Sequence, residues 1–169
     1  SNIYNYNYWS SPVSPINITS NNNNYTIDGV MKDGTNTASP VNINWVGGYD
    51  GAPTSPISLA TFWLYKFDNY SNNYSSWAAI TPTESLRVGQ GFTMKGSGAV
   101  TNQNYIFTGK PNNGLINSNT VGADQLLLTG NPYPSSIDAN ALTPDNVTII
   151  DQGLDGTLYF WEHYPTHNT

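Results

Sequence analysis

The chain has 169 residues, enough for one domain with a real core. Only 9% of its residues are charged while 13% are aromatic, so it combines a polar surface with many large rings, the opposite of a disordered chain. The formal charge of −6, with only 5 Lys and Arg, leaves no basic stripe for phosphates or anionic lipid, which excludes nucleic-acid binding.

Strong helix formers are scarce and Tyr, Trp, Thr, Val and Ile are plentiful, which predicts an all-β fold. Strands are expected near Ile3–Trp9, Tyr25–Met31, Val41–Val46, Thr61–Phe67, Leu86–Lys95, Asn104–Thr108, Gln125–Thr129, Val147–Ile150 and Thr157–His163. Their short length and the turn signals between them predict an antiparallel two-sheet sandwich, of which a jelly roll is one form. In the first strand Tyr4, Tyr6 and Tyr8 share one face, and Ile3, Asn5, Asn7 and Trp9 the other. In the fifth, Leu86, Val88, Phe92 and Met94 oppose Arg87, Thr93 and Lys95. Leu126-Leu127-Leu128 lacks alternation and reads as a central strand covered on both faces.

Asp28-Gly29, Asp33-Gly34, Asp50-Gly51 and Asp155-Gly156 read as turns, since the Asp side chain bonds nearby backbone and Gly tolerates positive φ. Asn21–Asn24 reads as a polar loop tip. The prolines of Gly130–Pro144 predict a rigid connection, with Ser136 capping a helical turn over Ile137–Leu142. Asn131, Tyr133 and Asp138 are expected in an ordered, largely buried motif that positions Leu126–Leu128. No internal repeat or linker divides the chain, which reads as one domain over residues 1–169. No run of apolar residues approaches the length of a spanning helix.

The residues of catalysis are thinly supplied. Glu84 and Glu162 are the only glutamates and lie in unrelated contexts, so with Asp138 they make a poor carboxylate pair for glycoside hydrolysis. His163 and His167 are four apart, but Pro165 between them disfavours the helix a shared metal needs. There is no cysteine for a thiol nucleophile or a Cys-based zinc site, and no Gly-x-Ser-x-Gly elbow. Asp151, Asp155 and Glu162 partly match a calcium loop, although Gly153 replaces an expected ligand and a plain Asp-Gly hairpin explains the same residues. No cofactor is expected apart from calcium. The aromatic residues are the stronger signal. Trp9, Trp63, Trp161 and Tyr133, with the Asn131 amide, are the candidates for a stacking platform, against the plainer reading that most rings fill a core.

Tyr-Trp-Ser-Ser-Pro-Val at 8–13, Gly-Gln-Gly-Phe-Thr-Met-Lys-Gly at 89–96, Phe-Thr-Gly-Lys-Pro-Asn-Asn-Gly at 107–114, Gly-Asn-Pro-Tyr-Pro at 130–134 and Leu-Tyr-Phe-Trp-Glu-His at 158–163 form a scattered set. Together they resemble a recurring extracellular region of large secreted and surface proteins of Flavobacterium-like Bacteroidetes, many exported by the type IX secretion system. The resemblance implies a secreted or cell-surface chain, a piece of a larger protein, serving as a non-catalytic structural or adhesive module. Its partners would then be other domains of the same protein and extracellular glycan, without insertion into a membrane. A carbohydrate-binding module using exposed aromatics is the alternative, and a glycan-active enzyme domain the more remote one. The resemblance brings no catalytic residues with it.

Overall fold

The computed structural model describes residues 6–16, 19–67, 70–71, 77–118, 121, 125–138 and 159. In chain order the strands are β1 (Tyr6–Trp9), β2 (Val13–Ser14), β3 (Met31–Asp33), β4 (Val41–Asn42), β5 (Asn44–Val46), β6 (Ser58–Ala60), β7 (Tyr65–Phe67), β8 (Tyr70–Ser71), β9 (Trp77–Ala79), β10 (Phe92–Lys95), β11 (Tyr105–Phe107), β12 (Lys110–Pro111) and β13 (Gln125–Leu126). Among the described residues the only helical pieces are α1 (Ile27–Val30) and a 3₁₀ turn at Thr61–Trp63. The expected all-β class is what the chain adopts. None of these helices is long and apolar enough to cross a membrane.

The largest sheet runs β1-β10-β7-β9 and a second runs β11-β3-β4, both antiparallel. Three shorter pairs, β12-β2, β13-β8 and the parallel β5-β6, form separate two-stranded sheets. Phe92 and Met94 of the first sheet and Met31 of the second enter one core with Tyr25, Ile27, Val30, Ile57, Leu59, Leu64 and Leu86. Trp9 and Tyr105 meet edge to face, their centroids 5.2 Å apart, and so join the two larger sheets. Tyr25 lies fully buried, and its hydroxyl donates to the Gln90 carbonyl at 2.7 Å. Burial pushes its phenol well up, against a smaller opposing effect from the Ser11 backbone, so it remains a donor.

Several expected strands are shorter or differently built. The segment Tyr25–Met31 is a single bridge from Tyr25 to Leu86 followed by α1. Thr26 caps that helix, its Oγ1 accepting the Gly29 N–H at 3.2 Å, so Asp28-Gly29 lies inside a helical turn and not in a hairpin. Leu86–Lys95 is interrupted because Gly89 takes a φ of 81°, and only Phe92–Lys95 pairs as a strand. Within it the expected alternation holds, with Phe92 and Met94 toward the core and Thr93 and Lys95 opposite. All four are buried, as are all three residues of β6, so these strands, not Leu126–Leu128, are covered on both faces.

Gln125-Leu126 pairs with β8, Leu126 is 37% exposed and Leu127 and Leu128 are half-buried, which corrects the reading of the Leu triplet as covered on both faces. Thr61–Phe67 divides into the 3₁₀ turn and β7. Asp33-Gly34 turns as expected, the Asp33 carboxylate accepting the Thr35 N–H at 2.8 Å. The expected strands Val147–Ile150 and Thr157–His163 lie outside the described residues, save Tyr159, which is exposed. The helical turn at Ile137–Leu142 lies outside them from residue 139 onward.

Candidate functional site

Alternation in β1 places Tyr6 and Tyr8 on the outer face of the four-stranded sheet, and antiparallel register sets Lys95 opposite Tyr6 and Thr93 opposite Tyr8. The rings of that face form a continuous band. From Tyr49 it passes to Phe62 (4.5 Å between centroids), Trp63 (5.1 Å), Tyr6 (6.2 Å, planes within 10°), Tyr8 (6.3 Å), Trp77 (5.8 Å) and Phe67 (5.0 Å). Such offset and edge-on pairs are the favoured arrangements of aromatic quadrupoles. The band is graded, from Tyr49 at 62% and Phe62 at 44% exposed to buried Phe67.

Beneath it the Lys95 ammonium is held by Asp50 Oδ1 at 2.5 Å and lies 5.4 Å from the Trp63 ring centroid. Trp63 is anchored through its indole N–H, which donates to the Tyr49 carbonyl at 2.7 Å. Thr93 Oγ1 donates to the Trp63 carbonyl at 2.6 Å and accepts the Tyr65 N–H at 3.1 Å. The buried polar groups of β10 therefore hold the band in place.

A second feature lies where three loops meet. An open depression of about 470 Å³ is lined by Asn21, Lys110, Pro111, Asn112, Asn113, Tyr133, Pro134 and Ser135. The loops are tied to one another by side-chain amides. Asn112 is buried, accepting from Ser14 Oγ at 2.6 Å and donating to the Pro132 carbonyl at 2.9 Å. Asn22 donates to the Asn113 carbonyl at 2.6 Å and accepts the Asn113 N–H at 3.0 Å, a strand-like pairing made by a side chain. The Tyr133 hydroxyl donates to the Gly114 carbonyl at 2.7 Å.

Close approach of backbones at Gly109 allows β12 to reach β2, because a Cβ there would overlap the Ser14 carbonyl oxygen and crowd Val13. Gly109→Ala is therefore expected to destabilise the domain by about 1–3 kcal/mol, read as a lower urea midpoint with an unchanged slope.

Of the proposed platform residues, Trp63 belongs to the ring band and Tyr133 to the depression. Asn131 lines neither. Its Oδ1 accepts the Tyr133 N–H at 2.9 Å and its Nδ2 donates to the Ser135 carbonyl at 2.6 Å, so it shapes the loop that carries Tyr133. Trp9 faces inward, packed against the core, which removes it from a surface platform. Trp161 and the calcium candidates Asp151, Asp155 and Glu162 lie outside the described residues. The Gly130–Asp138 motif is only partly buried, with Asn131 and Tyr133 half-buried and Asp138 exposed. It packs against Ser10, Asn112 and the turn at Gly89, and so corrects the expectation of a buried motif supporting the Leu triplet. Tyr49, Phe62, Tyr6, Tyr8 and Trp77 are band residues that sequence reasoning misses, though the tyrosine alternation of β1 is a visible signal for two of them.

The architecture defines an all-β domain with a ring-bearing sheet face and an amide-lined depression. The chain matches the family described as a domain of unknown function (DUF8693) over residues 30–169, and belongs to that family. No curated protein and no solved structure matches it. The family match includes Lys110, Asn113 and Tyr133 of the depression and leaves β1 and Asn21 outside.

Proposed function

We propose that this chain is a non-catalytic structural and adhesive module of a larger bacterial protein that is secreted or held at the cell surface. The observation that carries the reading is the ring band across one face of the four-stranded sheet. Large, stiff aromatic side chains give contact area at little conformational cost, and the cation beneath them is already neutralised by Asp50. Contact on this face is therefore made through rings, amides and hydroxyls. The secreted or surface setting rests on the resemblance to extracellular Bacteroidetes regions. Other domains of the same protein are the expected partners. Extracellular glycan is the second reading, favoured by the amide-lined depression.

Beads coated with the purified domain are expected to hold to methyl-terminated glass, an apolar surface free of sugar, under flow. The Tyr49→Ser, Phe62→Ser double variant is expected to weaken retention by about tenfold, equivalent to roughly 1.4 kcal/mol, without a change in thermal unfolding. Retention unchanged in that variant counts against the band as the contact surface. Polysaccharide or peptide hydrolysis by the wild type that disappears in Glu162→Gln or His163→Ala would overturn the non-catalytic reading.

A further inference from the structure

We infer that the depression between the loops carrying Asn21, Asn113 and Tyr133 is a binding site for a neutral saccharide. The inference deepens and rests on the second reading above, contact of this depression with extracellular glycan. At about 470 Å³ the depression falls within the size range of small-molecule sites, and its walls combine apolar and hydrogen-bonding surface. The Tyr133 ring, Pro111 and Pro134 supply the apolar part, matching the C–H face of a pyranose. Asn21, Asn113 and Ser135 line the depression and are exposed. Among the described residues the Asn21 side-chain amide, Asn113 Nδ2 and Ser135 Oγ make no hydrogen bond to protein, so they are open to a ligand in place of water. Amides and hydroxyls both donate and accept, which suits the hydroxyl rim of a sugar.

The loops that carry these groups are locked in advance. Asn112 ties β2 to Pro132, Asn22 clasps Asn113, and Asn131 braces Tyr133 and Ser135. A site whose walls are held while some polar groups remain open to solvent is preorganised for a ligand that bonds to them. The charge pattern argues against an anion. Lys110 is the one cation in the lining, its ammonium is engaged by the Thr19 carbonyl, and the chain carries a net charge of −6.

The test is isothermal titration of the purified domain with cellohexaose, xylohexaose, mannohexaose and N-acetylchitohexaose, and with a heparin oligosaccharide as the anionic probe. At least one neutral hexaose is expected to bind. Tyr133→Ala is expected to weaken that binding tenfold or more, and Ser135→Ala by a smaller factor. Tyr133→Phe keeps the ring and loses only the bond to Gly114, so it is expected to bind nearly as the wild type does and serves as the control for folding. Val100→Ala, at a 98% exposed position outside the depression, is expected to leave binding unchanged.

Failure of all four neutral probes to bind, binding indifferent to both Tyr133→Ala and Ser135→Ala, or a preference for heparin overturns the inference. If no neutral sugar binds while bead retention still depends on Tyr49 and Phe62, the saccharide site fails and the adhesive reading stands. If a neutral hexaose binds through Tyr133 and is also cleaved, the site stands and the non-catalytic reading fails.

Discussion

Phe92→Ala is expected to lower the stability of the domain by about 3–5 kcal/mol, a large part of what a domain of this size has. Phe92 is fully buried on β10, which pairs with β1 on one side and β7 on the other. Its ring points into the core, so its removal opens a cavity beneath the sheet that closes only if those paired strands shift. Urea unfolding should show a much lower midpoint, and the loss should be far smaller for Val100→Ala, where the side chain is 98% exposed. The same strand carries Thr93 and Lys95, which hold Trp63 from the other face. Partial loosening of β10 should therefore reach the ring band as well.

Asp33→Ala is expected to cost about 1–3 kcal/mol, chiefly through the Ile57 N–H, since a buried donor left unpaired costs roughly that much. The Asp33 carboxylate is 2% exposed and accepts from Thr35 N–H, Thr35 Oγ1, Gln103 Nε2 and the Ile57 N–H, the last at 3.0 Å. Ile57 is itself buried, so its N–H has no water to turn to. Burial raises the Asp33 carboxyl, but the bonds from Thr35, Ile57 and Gln103 outweigh it and hold the group below the ordinary carboxyl value. A carboxyl lowered in the folded state binds its proton more readily when unfolded. Its contribution is therefore fully present above the unfolded value, near pH 4, and is lost as the pH falls through the folded one. Thermal scans between pH 7 and pH 2.5 should show a steep fall below about pH 4 for the wild type, and a shallower one for Asp33→Asn. The amide that this substitution introduces would also turn its NH₂ toward one of these donors, so Asp33→Asn should be less stable at neutral pH. Equal slopes for the two proteins would contradict the assignment of that bonding set to Asp33.

Features settled within a few residues can be read directly from the chain. The scarcity of helix formers tells the fold class. The Asp33-Gly34 turn follows from Asp and Gly chemistry, and the facing of Tyr6 with Tyr8 and of Phe92 with Met94 follows from a period of two. Strands of two residues, such as Val13–Ser14 and Lys110–Pro111, hold too few positions to show any period and escape recognition.

Burial misleads in both directions, because it depends on neighbours that are remote in sequence. The Leu triplet looks covered on both faces and is not, with Leu126 exposed on a two-residue pair, whereas Phe92–Lys95, with its threonine and lysine, is buried throughout. Trp9 looks like a surface ring, but its place on β1 beside Phe92 turns it into the core.

The two candidate sites depend most on the fold. The ring band draws on positions 6, 8, 49, 62, 63, 67 and 77, and the depression on loops near 21, 112 and 133. Composition announces that aromatic and amide side chains are in excess. Which of them meet is decided by strand register and loop docking, where a one-residue shift would send every side chain of a strand to the opposite face.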